Sequence, residues 1–156
     1  MHAPKLTATA TGAALIAMAL AGLAAAASTP PQPAPIVVKD ASGTSYTGDA
    51  TAGEKTFKQC AVCHSVKPAE NRIGPTLYGV IGRKAGTASN YNYSTANKNS
   101  GITWSEQSVF DYLENPRAKM PGTKMAFVGL RKPQDRANVI AFLKKAGPPP
   151  AAAKPK

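Results

Sequence analysis

Residues 60–64 read Cys-Ala-Val-Cys-His, and Cys60 and Cys63 are the only cysteines among 156 residues. His64 is one of two histidines, the other being His2. Thiols at this spacing suit a short list of chemistries. A disulfide across two intervening residues closes so small a loop that it constrains the unfolded chain very little. A redox-active Cys-x-x-Cys belongs at a strand–helix junction of a βαβ unit, and nothing in this chain reads as βαβ. Zinc needs four protein ligands, or three and a water, and beyond these three residues only His2 remains. Cys-x-x-Cys-His is also the attachment pattern of c-type haem. On a helix, positions i and i+3 share a face, so both thiols can reach the two vinyl groups along one edge of a haem. The next residue then carries its imidazole beneath the ring to the iron. The spacing predicts one covalently bound haem c, with His64 as an iron ligand.

With His64 on one side of the iron, the other side takes Met, His, Lys, water or nothing. The part of the chain that reads as folded offers Met120 and Met125, both in ENPRAKMPGTKMAF. That stretch is rich in Pro and Gly, lies between two helical patterns and is suited to wrap over the far haem face. Pro121 and Gly122 can set a turn that presents Met125, which gives it an edge over Met120.

The elements that must position these residues read as helical. DATAGEKTFKQCAVCH opens with Thr51-x-x-Glu54, a capping box. In TWSEQSVFDYLENP, Ser105 is the expected N-cap, Val109, Tyr112 and Leu113 share a face, and the helix stops before Pro116. KPQDRANVIAFLKKAG places Pro133 at a first helical position and Gly147 just past the end, while Lys144 and Lys145 suit the negative end of the helix dipole. Gly, Asn and Ser between Gly74 and Gly101 predict loops, with a helical turn at Ser94–Lys98. No run alternates well enough for a strand. The expected fold class is all-α: three main helices and long loops wrapped around one haem.

Both ends differ from the middle. Residues 1–27 carry one firm positive charge, Lys5, then an apolar run from Ala13 to Ala27 that closes on small residues fit for signal cleavage. That run is shorter than the ~20 residues of a spanning helix. A removed signal peptide is the expectation, with an uncleaved membrane anchor as the alternative. Residues 28–47 read as a Pro-rich linker, its TPPQPAPIVV a stiff spacer. Residues 48–147 form the domain, and 148–156 a Pro/Ala/Lys tail. The formal net charge is +11, of which the domain supplies 15 Lys/Arg less 7 Asp/Glu, or +8. The basic residues are scattered, with no block of five and no aromatic–basic alternation, which argues against nucleic acid.

From GDATAGEKTFKQCAVCH through ENPRAKMPGTKMAFVGLRKPQDRANVIAFLKKAG, the chain resembles the class I c-type cytochromes, closest to the branch of mitochondrial cytochrome c and bacterial cytochrome c2. IGPTLYGVIGRKAG, ANKNSGITW and NPRAKMPGTKM carry the resemblance over about 100 residues, Gly48 to Gly147. It implies Met125 as the sixth ligand and an ordinary apolar role for Met120. It further implies that the Pro75 carbonyl accepts the other N–H of the His64 ring. Arg83, Tyr93, Asn97 and Trp104 would surround the propionates. Tyr112, Thr123 and Asn97 would form a polar cluster beside Met125. Gly53 and Phe57 would meet Val139 and Phe142 where the first and last helices cross.

The function this implies is one-electron transfer by a periplasmic, monomeric carrier that is not an enzyme. Its partners would be acidic faces of membrane complexes: a bc1-type reductase, a terminal oxidase or a reaction centre. Lys58, Lys67, Arg72, Lys119 and Lys124 are the expected docking ring. Two alternatives differ in class. A labile Met ligand would make the chain a haem enzyme or a peroxide- or gas-reactive sensor, and tight association would make it an electron-entry module of a larger complex.

Overall fold

The computed structural model describes His2 and residues 34–147. In chain order its elements are strands β1 (Val37–Lys39) and β2 (Ser45–Thr47), then helices α1 (Ala50–Ala61), α2 (Thr95–Asn99), α3 (Glu106–Glu114), α4 (Pro116–Lys119) and α5 (Pro133–Ala146). The signal or anchor expected over 1–27 and the tail over 148–156 lie outside the described residues, His2 apart. Among the described residues, no helix is long and apolar enough to cross a membrane.

The three main helices stand where the sequence places them, but α1 starts differently. Asp49, not Thr51, is its N-cap: one carboxylate oxygen accepts from the Thr51 and Ala52 N–H groups at 2.7 and 3.0 Å. A carboxylate at the positive end of a helix dipole is a stronger acceptor than a hydroxyl, so the expected capping box gives way. Ser105 caps α3, accepting from Ser108 N–H at 3.0 Å. Pro133 opens α5, as expected, and Ser94 caps the short α2.

Helices α1 and α5 cross at Gly53. A Cβ built there would collide with the Asn138 carbonyl and come within 2.9 Å of Phe142 Cβ, so the absent side chain sets the closeness of the crossing. One turn on, the Phe57 and Phe142 rings lie 5.0 Å apart, and Val139 is fully buried. Helix α3 is tied to the same layer by a Lys144–Glu106 ion pair at 2.6 Å. After α4, the chain returns past α3, where Leu130 N–H donates to the Leu113 carbonyl at 2.7 Å.

The strands correct two expectations. The segment read as a spacer contains an antiparallel hairpin, with Val37 opposite Thr47, Val38 opposite Tyr46 and Lys39 opposite Ser45. Ile36 and Val38 are almost completely buried, each contributing about 1.5–3 kcal/mol by burial. The boundary expected at residue 48 therefore cuts through one compact unit. The connection turns at Gly43, whose φ of +86° suits glycine. Asp40 stitches the turn, its carboxylate accepting from Ser42, Thr44 and Tyr46. Where β1 meets α3, the Gln107 amide does what a third strand would. It accepts from Lys39 N–H at 2.9 Å and donates to the Lys39 carbonyl at 2.8 Å.

Candidate cofactor site

A cavity of about 450 Å³ opens between the helices, within the range of small-molecule and cofactor sites. Cys60, Cys63, His64, Pro75, Arg83, Tyr93, Asn97, Trp104, Tyr112, Thr123 and Met125 all line it. Every residue named for the site from sequence thus lines one cavity. Met120 does not line the cavity; it is 4 % exposed and packed in the core.

The end of α1 builds the thiol side. Cys63 and His64 N–H groups both donate to the Cys60 carbonyl, at 3.0 and 2.9 Å, so the motif leaves the helix as a tight turn. No disulfide joins Cys60 to Cys63. As a thiol, before any attachment, Cys60 is pushed up to about 11 by burial, with Cys63 adding to the rise. His64 Nδ1 lies 2.7 Å from the Pro75 carbonyl. A carbonyl only accepts, so Nδ1 carries the proton and Nε2 keeps its lone pair. Burial holds the imidazole below its ordinary value; the Pro75 bond opposes that shift and Arg83 adds to it. The ring is neutral, the form that binds metal.

Gly74 is a site residue that sequence reasoning passed over. A Cβ built there would press on His64 Nδ1 and Nε2 at 2.6 and 2.8 Å. Its N–H donates to the Cys63 carbonyl at 2.8 Å, clamping the loop to the turn that carries His64.

Arg83 sits half-buried, donating to the Tyr78 and Thr76 carbonyls at 3.1 and 2.7 Å. Desolvation lowers its pKa, while Tyr93 raises it. No carboxylate pairs with it among the described residues. The Arg83 and Trp104 segments pair through Trp104 N–H to the Arg83 carbonyl at 2.9 Å and Gly82 N–H to the Trp104 carbonyl at 2.8 Å. Tyr93 meets the Tyr91 ring edge-on at 4.8 Å, and Tyr91 donates to the Ile73 carbonyl at 2.8 Å. Trp104 packs on Tyr112, centroids 4.9 Å apart.

On the methionine side, Thr123 N–H donates to the Met120 carbonyl at 3.1 Å. Pro121 and Gly122, the latter at φ +85°, occupy the centre of that turn, the sequence of a type II turn. Tyr112 Oη lies 3.2 Å from Thr123 Oγ1 and 3.6 Å from Met125 Sδ. Asn97 lines the same cavity but does not join this cluster by a direct bond; its Oδ1 is buried with no partner.

These residues fit a haem on grounds visible in the structure. An apolar cavity carries two thiols and a neutral imidazole at one side and a thioether in its wall. The half-buried Arg83 guanidinium, with no carboxylate partner among the described residues, is a donor suited to the acidic edge of a ligand. A helical fold built on a Cys-x-x-Cys-His turn over such a cavity defines the class of covalent haem proteins.

The comparisons with known proteins agree. The family model for cytochrome c matches residues 50–147. Cytochrome c2 of Rhodomicrobium vannielii is 58 % identical over 97 residues, covering 62 % of this chain and 78 % of the relative. Cytochrome c of Gossypium barbadense is 55 % identical over 100 residues, covering 63 % and 90 %. Among solved structures, cytochrome cH from Methylobacterium extorquens aligns with a TM-score of 0.61 and 46 % identity, over 63 % of this chain and 99 % of that one. The chain belongs to the cytochrome c family, on the branch of cytochrome c2 and mitochondrial cytochrome c. Its cofactor is one covalently attached haem c.

Proposed function

We propose that this protein is a one-electron carrier, exported to the periplasm, that shuttles between membrane electron-transfer complexes and is not itself an enzyme. One observation carries the reading: His64, its Nδ1 committed to Pro75, shares a single cavity with Met125. Haem c supplies a one-electron Fe(III)/Fe(II) couple. Cys60 and Cys63 would hold it through their sulfurs, and His64 Nε2 and Met125 Sδ would bind its iron, so that both ligands come from the chain itself. Met/His ligation raises the potential relative to His/His or thiolate. The Pro75 carbonyl fixes the ring orientation of His64 and raises its basicity. Tyr112 and Thr123 orient Met125, Arg83 with Tyr93, Asn97 and Trp104 receives the propionates, and the apolar wall excludes water. Residues 1–27 serve as a removed signal, the alternative being an anchor to the periplasmic face.

Docking falls to the basic residues. Lys124 lines the cavity, its Nζ donating to the Asn92 carbonyl at 3.0 Å. Arg72 donates to Glu70 at 3.0 and 2.8 Å, with Lys67 at 3.9 Å from the same carboxylate. Lys119 lies 3.8 Å from Glu114. Of the five proposed ring members, Lys58 and Lys124 have no acidic partner among the described residues. The partners are acidic faces of a bc1-type reductase, a terminal oxidase or a reaction centre, met as a monomer. An absorption spectrum with a potentiometric titration tests the reading. The expected results are haem that resists extraction into acidified organic solvent, a weak ferric band at the red end from sulfur–iron bonding, and a single reversible one-electron wave. Extractable haem, or a ferric spectrum that lacks the band, overturns it.

A further inference from the structure

The hairpin lies before residue 50, where the family match begins, so the family relationship assigns it no role. It packs on faces of α3 and α5 other than those that wall the cavity. On α3, Val109, Tyr112 and Leu113 reach the cavity, while Gln107 and Phe110 meet the hairpin. Gln107 grips Lys39 through both its amide atoms. Phe110 is the largest fully buried side chain. Tyr46 of β2 stacks on its ring at 6.1 Å, and the Arg136 guanidinium of α5 lies 4.3 Å from the ring centroid. On α5, Gln134 Nε2 donates to the Thr47 carbonyl at 2.8 Å.

A helix gripped on its back is fixed in rotation and in height. The next residues around α3 are the ones that count: Tyr112 Oη stands 3.6 Å from Met125 Sδ, and the Leu113 carbonyl receives the returning chain through Leu130 N–H. Loosening α3 moves the donor on which the thioether rests. Local opening takes its free energy from the contacts of the segment concerned, and nine residues of α3 are too few to hold a helix unaided.

We propose that residues 36–47 are a positioning strap that fixes α3 and so holds Tyr112 against Met125, making the extension a determinant of the strength of the Met125 bond. This rests on the reading of Met125 as an iron ligand. The positioning residues are Val38 and Tyr46, with Gln107 as their anchor on α3.

The test uses the full-length haem-loaded protein with two readouts. One is amide hydrogen exchange along α1, α3 and residues 120–125. The other is loss of the sulfur–iron band in a urea series, set against loss of helical circular dichroism. In the Val38→Ala/Tyr46→Ala chain, amides of α3 and of 120–125 are expected to exchange at least about tenfold faster relative to those of Phe57–Ala61. The band should vanish at lower urea than the helical signal. Tyr46→Phe, which keeps the ring on Phe110, should restore both. If the double variant does not fold, Gln107→Ala, an exposed change, should give the same pattern in smaller degree. Equal acceleration in all helices with coincident loss of band and helix, or no change at all, overturns the strap. An unsubstituted protein that lacks the band overturns Met125 ligation instead, and the exchange pattern still decides the strap.

Discussion

Met120 and Met125 stand five residues apart and face different surroundings, one in the core and one in the cavity wall. Met125→Ala is expected to abolish the sulfur–iron band and lower the potential by a sizeable fraction of the ~0.8 V that axial ligands span. Met120→Leu keeps volume and should cost less than about 1.5 kcal/mol in thermal unfolding while leaving the band in place. A swap of these outcomes reverses the assignment. Gly74→Ala drives a methyl into the His64 ring and should destabilise the haem-loaded protein by about 1–3 kcal/mol, read as a lowered unfolding midpoint. The two cases show what a sequence discloses about a site. Cys60, Cys63 and His64 announce themselves because the chemistry needs those residue types at that spacing. Gly74 acts by having no side chain, and that becomes visible only once a ring is placed where a Cβ would be. The orphaned oxygen of Asn97 is equally silent in the sequence, because burial without a partner is a property of the surroundings.

Helices α3 and α5 could be read from their caps and stops, since Ser105, Pro116 and Pro133 act on the backbone within a few residues of themselves. The hairpin could not. Strands of three residues show a single alternation each, and β1 packs on α3, whose Gln107 lies 68 residues beyond Lys39. A Pro-rich flank pulled the reading of Ile36–Val38 toward an extended spacer. Asp49 was overlooked as a cap for a smaller reason: Thr51 and Glu54 satisfy a known pattern two residues later, and the stronger acceptor prevailed. At this scale the α1–α5 crossing is the element most exposed to a single change. Gly53→Ala places a methyl against the Asn138 carbonyl with backbone on both sides, so neither helix can yield cheaply. Despite the gain in helix propensity, it should destabilise by about 1–3 kcal/mol, and chemical denaturation of the haem-loaded protein followed by circular dichroism would measure it.

For the whole molecule, the sign of the charge was legible and its distribution was not. A count gives +8 over residues 48–147, but Glu70 takes up both Arg72 and Lys67, leaving Lys124 less compensated than either. Attraction to an acidic partner raises association rates by orders of magnitude at low ionic strength and fades within a Debye length of about 8 Å at physiological salt. Lys124→Glu should therefore slow electron delivery to a membrane oxidase or reductase far more than Lys154→Glu in the tail. Glu70→Gln, by freeing two cations, should speed it at low salt. Second-order rates across a salt series check both. A salt-independent rate, or equal losses for Lys124 and Lys154, would remove the docking face.

The buried Phe110 has a practical consequence for anyone who dissects the chain. Cut at residue 50, where the family match starts, the protein would keep every residue that lines the cavity and lose Ile36, Val38 and Tyr46. The faces of α3 and α5 they cover would then meet water as a fresh sticky patch, with an aromatic ring at its centre and a guanidinium beside it. Such patches are what drive proteins to clump. The shortened chain would bind its haem and still come out of solution, and the fault would look like poor folding when it is a missing lid of a dozen residues.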